Sequence, residues 1–185
     1  MISYRTVPGV SRLYGAKNLF AGEGSFATIA QTRATRIVLL CSKSSYESDY
    51  LQKMVTKVAK RVSIQVIQVS GEPTVDNIIA EEEKVKDFAP DWIVAVGGGS
   101  TIDLAKLIWA YYEEPWLEIK QARFSRIDGL RGKALFCACP TTYGSGSEAS
   151  LAAVFQPDSE GSKSFCVSEA LLPDIAILDP MLSED

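Results

Sequence analysis

The run Trp92-Ile93-Val94-Ala95-Val96 carries no polar side chain, and it is followed at once by Gly97-Gly98-Gly99 and then by Ser100-Thr101-Ile102-Asp103-Leu104-Ala105-Lys106. A strand this apolar must be covered on both faces, which is the condition of strands in parallel sheets flanked by helices. The residues after the glycines read as the start of a helix. A buried strand that turns through bare glycine into a helix is therefore the unit with which the rest of the chain has to agree.

The remaining segments alternate in the same way. Arg36 to Cys41 predicts a buried strand, and Leu51, Met54, Val55 and Val58 keep helical spacing within a helix from about Ser48 to Arg61. Val62 to Val69 alternates strictly and predicts a strand with one face more exposed. Thr74 is placed to cap a helix from Val75 to about Phe88, ended by Pro90, with Glu81-Glu82-Glu83-Lys84 as its solvated face. The helix after the glycines runs to about Tyr112, with Pro115 beyond it. Lys133 to Cys139 predicts another strand, and Ser164 to Ser168 and Ile175 to Leu178 two short ones. Near the N-terminus, Leu19 to Ser25 predicts a turn into a short helix, and Ser11 to Tyr14 an extended segment. The expected fold class is α/β, a parallel sheet with helices on both faces in one domain over residues 1–185.

Composition removes several functions. With a net charge of −4, the chain has no basic field for a nucleic acid. No apolar run is long enough to cross a bilayer, and Met1 to Arg5 lacks the blocks of a signal peptide, so the expected location is cytoplasmic, away from any membrane. Of the four cysteines, Cys137 and Cys139 fall on one face of a strand and are expected in the core. Isolated carboxylates such as Asp158 and Asp174 are expected at the surface. The chain contains no histidine, which excludes serine-histidine and cysteine-histidine catalysis by these residues.

In a parallel sheet, ligands settle beyond the carboxyl ends of the strands, where a helix N-terminus offers unpaired N–H groups and the positive end of its dipole. Glycines at 97 to 99 would let an anion such as a pyrophosphate approach the backbone, and Ser100 would add a hydroxyl. The competing reading is structural: Ser100-Thr101-Ile102-Asp103 has the spacing of a capping box, and an abrupt turn needs glycine in any case. Thr141-Thr142-Tyr143-Gly144-Ser145-Gly146-Ser147-Glu148 follows another strand and could line the same cleft with hydroxyl groups. After the Arg36 to Cys41 strand, where dinucleotide sites often place an acid against the ribose, this chain has Ser42, Lys43, Ser44 and Ser45. Ser42 and the Lys43 cation would accept a 2′-phosphate, which tilts the expectation toward NADP(H).

Together, GGGSTIDLAK at 97–106, PTTYGSGSE at 140–148, Glu72-Pro73-Thr74, Lys163, Leu172-Pro173 and Asp179-Pro180 resemble the iron-containing, or group III, alcohol dehydrogenases. The wider superfamily includes glycerol dehydrogenase and dehydroquinate synthase. The resemblance implies a Rossmann-like N-terminal domain of the dehydroquinate synthase-like type that binds NAD(P). Carried over by position, it implies that Gly98, Gly99 and Ser100 hold the pyrophosphate and that Asp103 lies near the nicotinamide. Thr141, Thr142, Ser145 and Ser150 would contact the adenosine half and its phosphates, Lys163 a ribose, and Leu182 the adenosine. Members of the family move a hydride between a primary alcohol or aldehyde and the coenzyme, with a divalent metal, iron or zinc, as Lewis acid. The metal is normally held by one aspartate and three histidines in a helical C-terminal domain. That domain is expected to lie beyond this chain, which by itself would then bind coenzyme weakly and turn nothing over. A homo-oligomer is compatible with the sequence. The alternative reading is a stand-alone nucleotide-binding module without catalysis.

Overall fold

The computed structural model describes residues 14–70, 73–118, 127, 129–157 and 163–183. Glu72, Asp158 and Ser11 to Leu13 therefore lie outside the described residues. The strands are Asn18–Ala21 (β1), Arg36–Ser42 (β2), Ser63–Val69 (β3), Trp92–Gly97 (β4), Leu135–Pro140 (β5), Ala152–Phe155 (β6), Ser164–Val167 (β7) and Ile175–Leu178 (β8). Six of them form one sheet in the order β1-β8-β5-β4-β2-β3, every neighbouring pair parallel. β6 and β7 form a separate antiparallel pair.

The sheet is buried on both faces because alternate residues of its central strands feed two cores. Val38, Leu40, Ile93, Ala95, Phe136 and Ala138 point to one, and Ile37, Leu39, Val94, Val96, Cys137 and Cys139 to the other. The second core is closed by a 3-10 turn at Ser25–Gln31 and by helix Asp49–Val58 (α2). α2 does not reach back to the first strand as one helix. Lys43–Glu47 is a separate short helix (α1), and the chain becomes extended at Ser48 before α2 starts. The two thiols at 137 and 139 sit 3.8 Å apart within this core. Burial pushes Cys41 and Cys166 up to about 11, so neither is a thiolate near neutral pH.

On the first core lie helices Val75–Phe88 (α3) and Gly99–Glu113 (α4). α3 begins and ends as its sequence predicts: Thr74 Oγ1 accepts the Asn77 N–H at 3.2 Å, and Ala89 turns left-handed (φ 51°) ahead of Pro90. Its acidic run is not uniformly solvated, however. Lys84 pairs with Glu81 in solvent, but Glu82 is buried beneath the run, because its position falls on the packed face.

α4 is buried almost all round, from Ile102 to Ala110 without a break. A helix of that kind needs cover on every side. The sheet lies beneath it, α3 beside it, and the β6–β7 pair above it as a third layer, with Ala153, Phe155 and Cys166 turned inward. Gln156 donates its N–H to Pro73 O at 2.7 Å and ties that layer to the start of α3. Asp174 is a buried anchor rather than a surface acid: it accepts from Arg131 Nε at 2.7 Å and the Phe136 N–H at 3.0 Å, and pairs with Lys17. The Ser25–Gln31 turn and α2 meet on Asp179 in the same manner, through the N–H groups of Gly24 and Phe26 and the Tyr50 hydroxyl.

Candidate functional site

The connections of the sheet locate a crevice. β2 leads to β3 on one side, but the return through α3 lands β4 on the other side of β2. The chain thus leaves the carboxyl ends of β2 and β4 in opposite directions, which opens a gap above them, the usual ligand position in such sheets. In this gap lies an open cleft of about 460 Å³, within the range of small-molecule sites. Ser42, Lys43, Ser44 and Glu47 line it from the β2 end and α1, Val69 and Ser70 from the β3 end, and Thr101 and Leu104 from α4.

The N-terminus of α4 points at the same corner. Its N-cap is Gly98, so no side chain closes the first turn, and that turn holds no acid. Ser100 is therefore not the cap that the capping-box spacing suggested: it lies inside the helix, exposed, because the helix starts one residue earlier at Gly99. The first N–H to be taken up is that of Ile102, by Gly98 O at 3.1 Å. The three N–H groups before it belong to the orphan donors of a helix start.

The three glycines serve different ends. A Cβ on Gly97 would meet Thr101 Cβ at 2.7 Å, and one on Gly99 would meet Ser145 Cβ at 2.8 Å. Both are needed for close packing inside the protein. Gly98 is different: its φ of −71° suits any residue, and the nearest atom to an added Cβ is the flexible Thr142 Oγ1 at 3.2 Å. What its bareness provides is the open helix end.

The hydroxyl-rich stretch does lie against this turn. Thr141 donates its N–H to Gly97 O at 3.0 Å, which sets the start of the loop beside the glycines. Thr142 and Ser145 are exposed there, whereas Ser147 is buried. Asp103, one turn into α4, is also buried; its Oδ2 accepts the Val154 N–H at 3.1 Å, and Ser147 lies beside the carboxylate. Its Oδ1 is buried without a partner among the described residues. Burial raises the Asp103 carboxyl above its ordinary range, opposed by the Val154 N–H, the Lys106 charge and Ser147. Lys106 is fully buried, and burial pushes it down to about 8 against the pull of Asp103 and Glu148.

Other expected site residues stand differently. Ser42 Oγ accepts the Ser45 N–H at 3.1 Å, capping α1, and lies 2.6 Å from Ser45 Oγ. Lys43 is exposed and 3.9 Å from Glu47. Ser150 Oγ receives Lys106 Nζ at 3.2 Å and donates to Ala152 O at 3.0 Å. Leu182 is packed into the core against the α2 side of the sheet. Lys163 is exposed just before β7. Lys106 escaped the sequence reading as a site residue; a lone lysine in the apolar run Leu104 to Ile108 was the available signal.

An unclosed helix end, a cleft beside it and an orphaned buried carboxylate oxygen suit a dinucleotide, an anion carrying neutral hydrogen-bond donors. They do not suit the metal. Among the described residues no three His, Cys, Asp or Glu side chains converge, and the sequence has no histidine, so no step through a metal belongs to these residues. Among the described residues no helix is long and apolar enough to cross a membrane.

The chain is similar to known proteins of one family. Residues 16–180 match the iron-containing alcohol dehydrogenase family. An alcohol dehydrogenase of Thermococcus barophilus is 34% identical over 171 residues, covering 87% of this chain and 44% of the relative. An NADPH-dependent butanol dehydrogenase of Clostridium saccharobutylicum is 28% identical over 172 residues, covering 91% and 44%. The solved iron-containing alcohol dehydrogenase of Thermococcus thioreducens superposes with a TM-score of 0.83 at 32% identity, over 93% of this chain and 47% of that one. The chain thus spans less than half the length of these relatives. With the match running from residue 16 to residue 180, the chain belongs to the iron-containing alcohol dehydrogenases.

Proposed function

We propose that this chain is the coenzyme-binding part of an NAD(P)-dependent, metal-dependent alcohol dehydrogenase or aldehyde reductase that acts on a primary alcohol or aldehyde. The observation that carries the reading is the start of α4: an uncapped helix end at the switch point, one turn from the unpartnered Asp103 Oδ1. The N–H groups of Gly99, Ser100 and Thr101 bind the pyrophosphate, with Gly98 leaving room and Thr141, Thr142 and Ser145 facing it from the adjoining loop. Asp103 Oδ1 accepts from a neutral donor on the nicotinamide side, such as the carboxamide or a ribose hydroxyl. These residues would hold and orient a bound coenzyme, whose nicotinamide would provide the hydride chemistry. The metal would be held by residues other than those described here.

The β2 end favours NADP(H). No carboxylate stands at Ser42, and the Lys43–Glu47 pair is exposed and long, so it holds the ammonium only weakly against a 2′-phosphate. The butanol dehydrogenase relative named for NADPH is consistent with that choice. A stand-alone nucleotide-binding module would use the same cleft; family membership is what favours the dehydrogenase. The test is a titration of the chain with NADH and NADPH, as wild type and Lys43→Ala. NADPH should bind several-fold more tightly to wild type and lose that advantage in the variant. Equal affinities in wild type would remove the NADP preference, and no binding of either would remove the coenzyme reading.

A further inference from the structure

We infer that Lys106 is the positioning residue of the coenzyme site: from inside the protein it fastens the 145–154 segment onto α4 and so sets the hydroxyl-bearing loop against the open helix end. This inference rests on the coenzyme reading above. Lys106 Nζ donates to Ser150 O at 2.7 Å, to Ala152 O at 3.1 Å and to Ser150 Oγ at 3.2 Å. An ammonium has three donors, and all three are spent on this segment. Lys106 therefore has none left for a phosphate and acts through the loop.

Asp103, three residues earlier and on the same face of α4, holds the far end of the segment through the Val154 N–H, with Ser147 beside its carboxylate. Lys106 holds its middle. The loop is thus fixed along its length to the very helix whose N-terminus it faces, and Gly99 lets Ser145 approach to where a Cβ would be only 2.8 Å away. Ser150 belongs to the fastening as well. Its one hydroxyl proton goes to Ala152 O at 3.0 Å, so it supports the site without donating to the coenzyme.

The test compares wild type, Lys106→Met and Lys106→Gln in the 185-residue chain, by NADH titration and amide hydrogen exchange. Methionine should weaken NADH about tenfold, since a small displacement of a positioning loop costs that much or more. Amides of 145–154 should exchange faster while those of β2 and β4 keep their protection. Glutamine keeps N–H donors on a stem one atom shorter and should recover part of both effects. The inference is overturned if the methionine variant binds NADH as tightly as wild type. It is equally overturned if exchange also accelerates across β2 and β4, since the residue would then support the whole fold. Should the methionine variant not fold, glutamine decides: weaker binding with faster exchange confined to 145–154 supports the inference, and wild-type behaviour in both overturns it. A wild type that binds neither NADH nor NADPH overturns the coenzyme reading together with this inference, one that binds NADPH alone moves the same comparison to NADPH, and binding unchanged by either variant removes this inference alone.

Discussion

Helices α3 and α4 lie side by side on one face of the sheet and begin in opposite ways. α3 is closed by its own sequence: Thr74 caps the first turn, and Asp76 adds a negative charge where the helix dipole is positive. α4 starts at a glycine, with no capping side chain and no acid in its first turn. The cap takes up a first-turn donor in α3, whereas in α4 no side chain does so, and the proposed function gives those donors to the coenzyme. A helix can be stable without its cap when packing holds it, and α4 is buried from Ile102 to Ala110. That burial is what frees its N-terminus for binding.

Giving α4 the start of α3 should have the largest effect. Gly98→Asp places a carboxylate where φ is ordinary and would cap the turn, leaving thermal stability equal or higher while weakening NADH by about 100-fold, the equivalent of losing one or two hydrogen bonds to a charged group. Calorimetric titration beside a melting curve checks it; unchanged affinity would break the comparison. Gly99→Val should act on stability instead, costing roughly 1–3 kcal/mol as its side chain drives into Ser145 and Ser147. Urea unfolding measures that cost. The smallest effect is expected from opening the closed helix: Thr74→Ala should lose about 1 kcal/mol in the same assay and leave NADH affinity where it was.

The sheet was legible because its signals are local. An unbroken apolar run such as Ile93 to Val96 has few ways to be buried, and Thr74 with Pro90 brackets a helix wherever the chain goes. The glycine turn and the hydroxyl stretch were legible as a candidate site for the same reason. Other features were not. Asp174 and Glu82 read as surface groups because nothing near them in sequence shows Arg131, Phe136 or the packed side of α3. Ala152–Phe155 opens with two alanines, which carry little strand preference, and its partner and its place above α4 are both distant choices. Ser100 had the spacing of a cap, yet the helix began at Gly99, since boundaries follow the geometry of the turn.

By itself the sequence determined the central strands, the helices α3 and α4, and that one turn would be bare, because alternation, capping and glycine act over a few residues; it read Leu19 to Ala21 as a turn where β1 forms, and it did not show α1 or β6. Only the tertiary structure decided which glycine opens the helix end, that a carboxylate oxygen would be left unpartnered beside it, and that a buried lysine would hold the facing loop. Those outcomes depend on contacts between residues about 44 to 51 positions apart, such as Lys106 with Ser150 and Asp103 with Val154. Their energies come from burial and desolvation, which no local pattern carries.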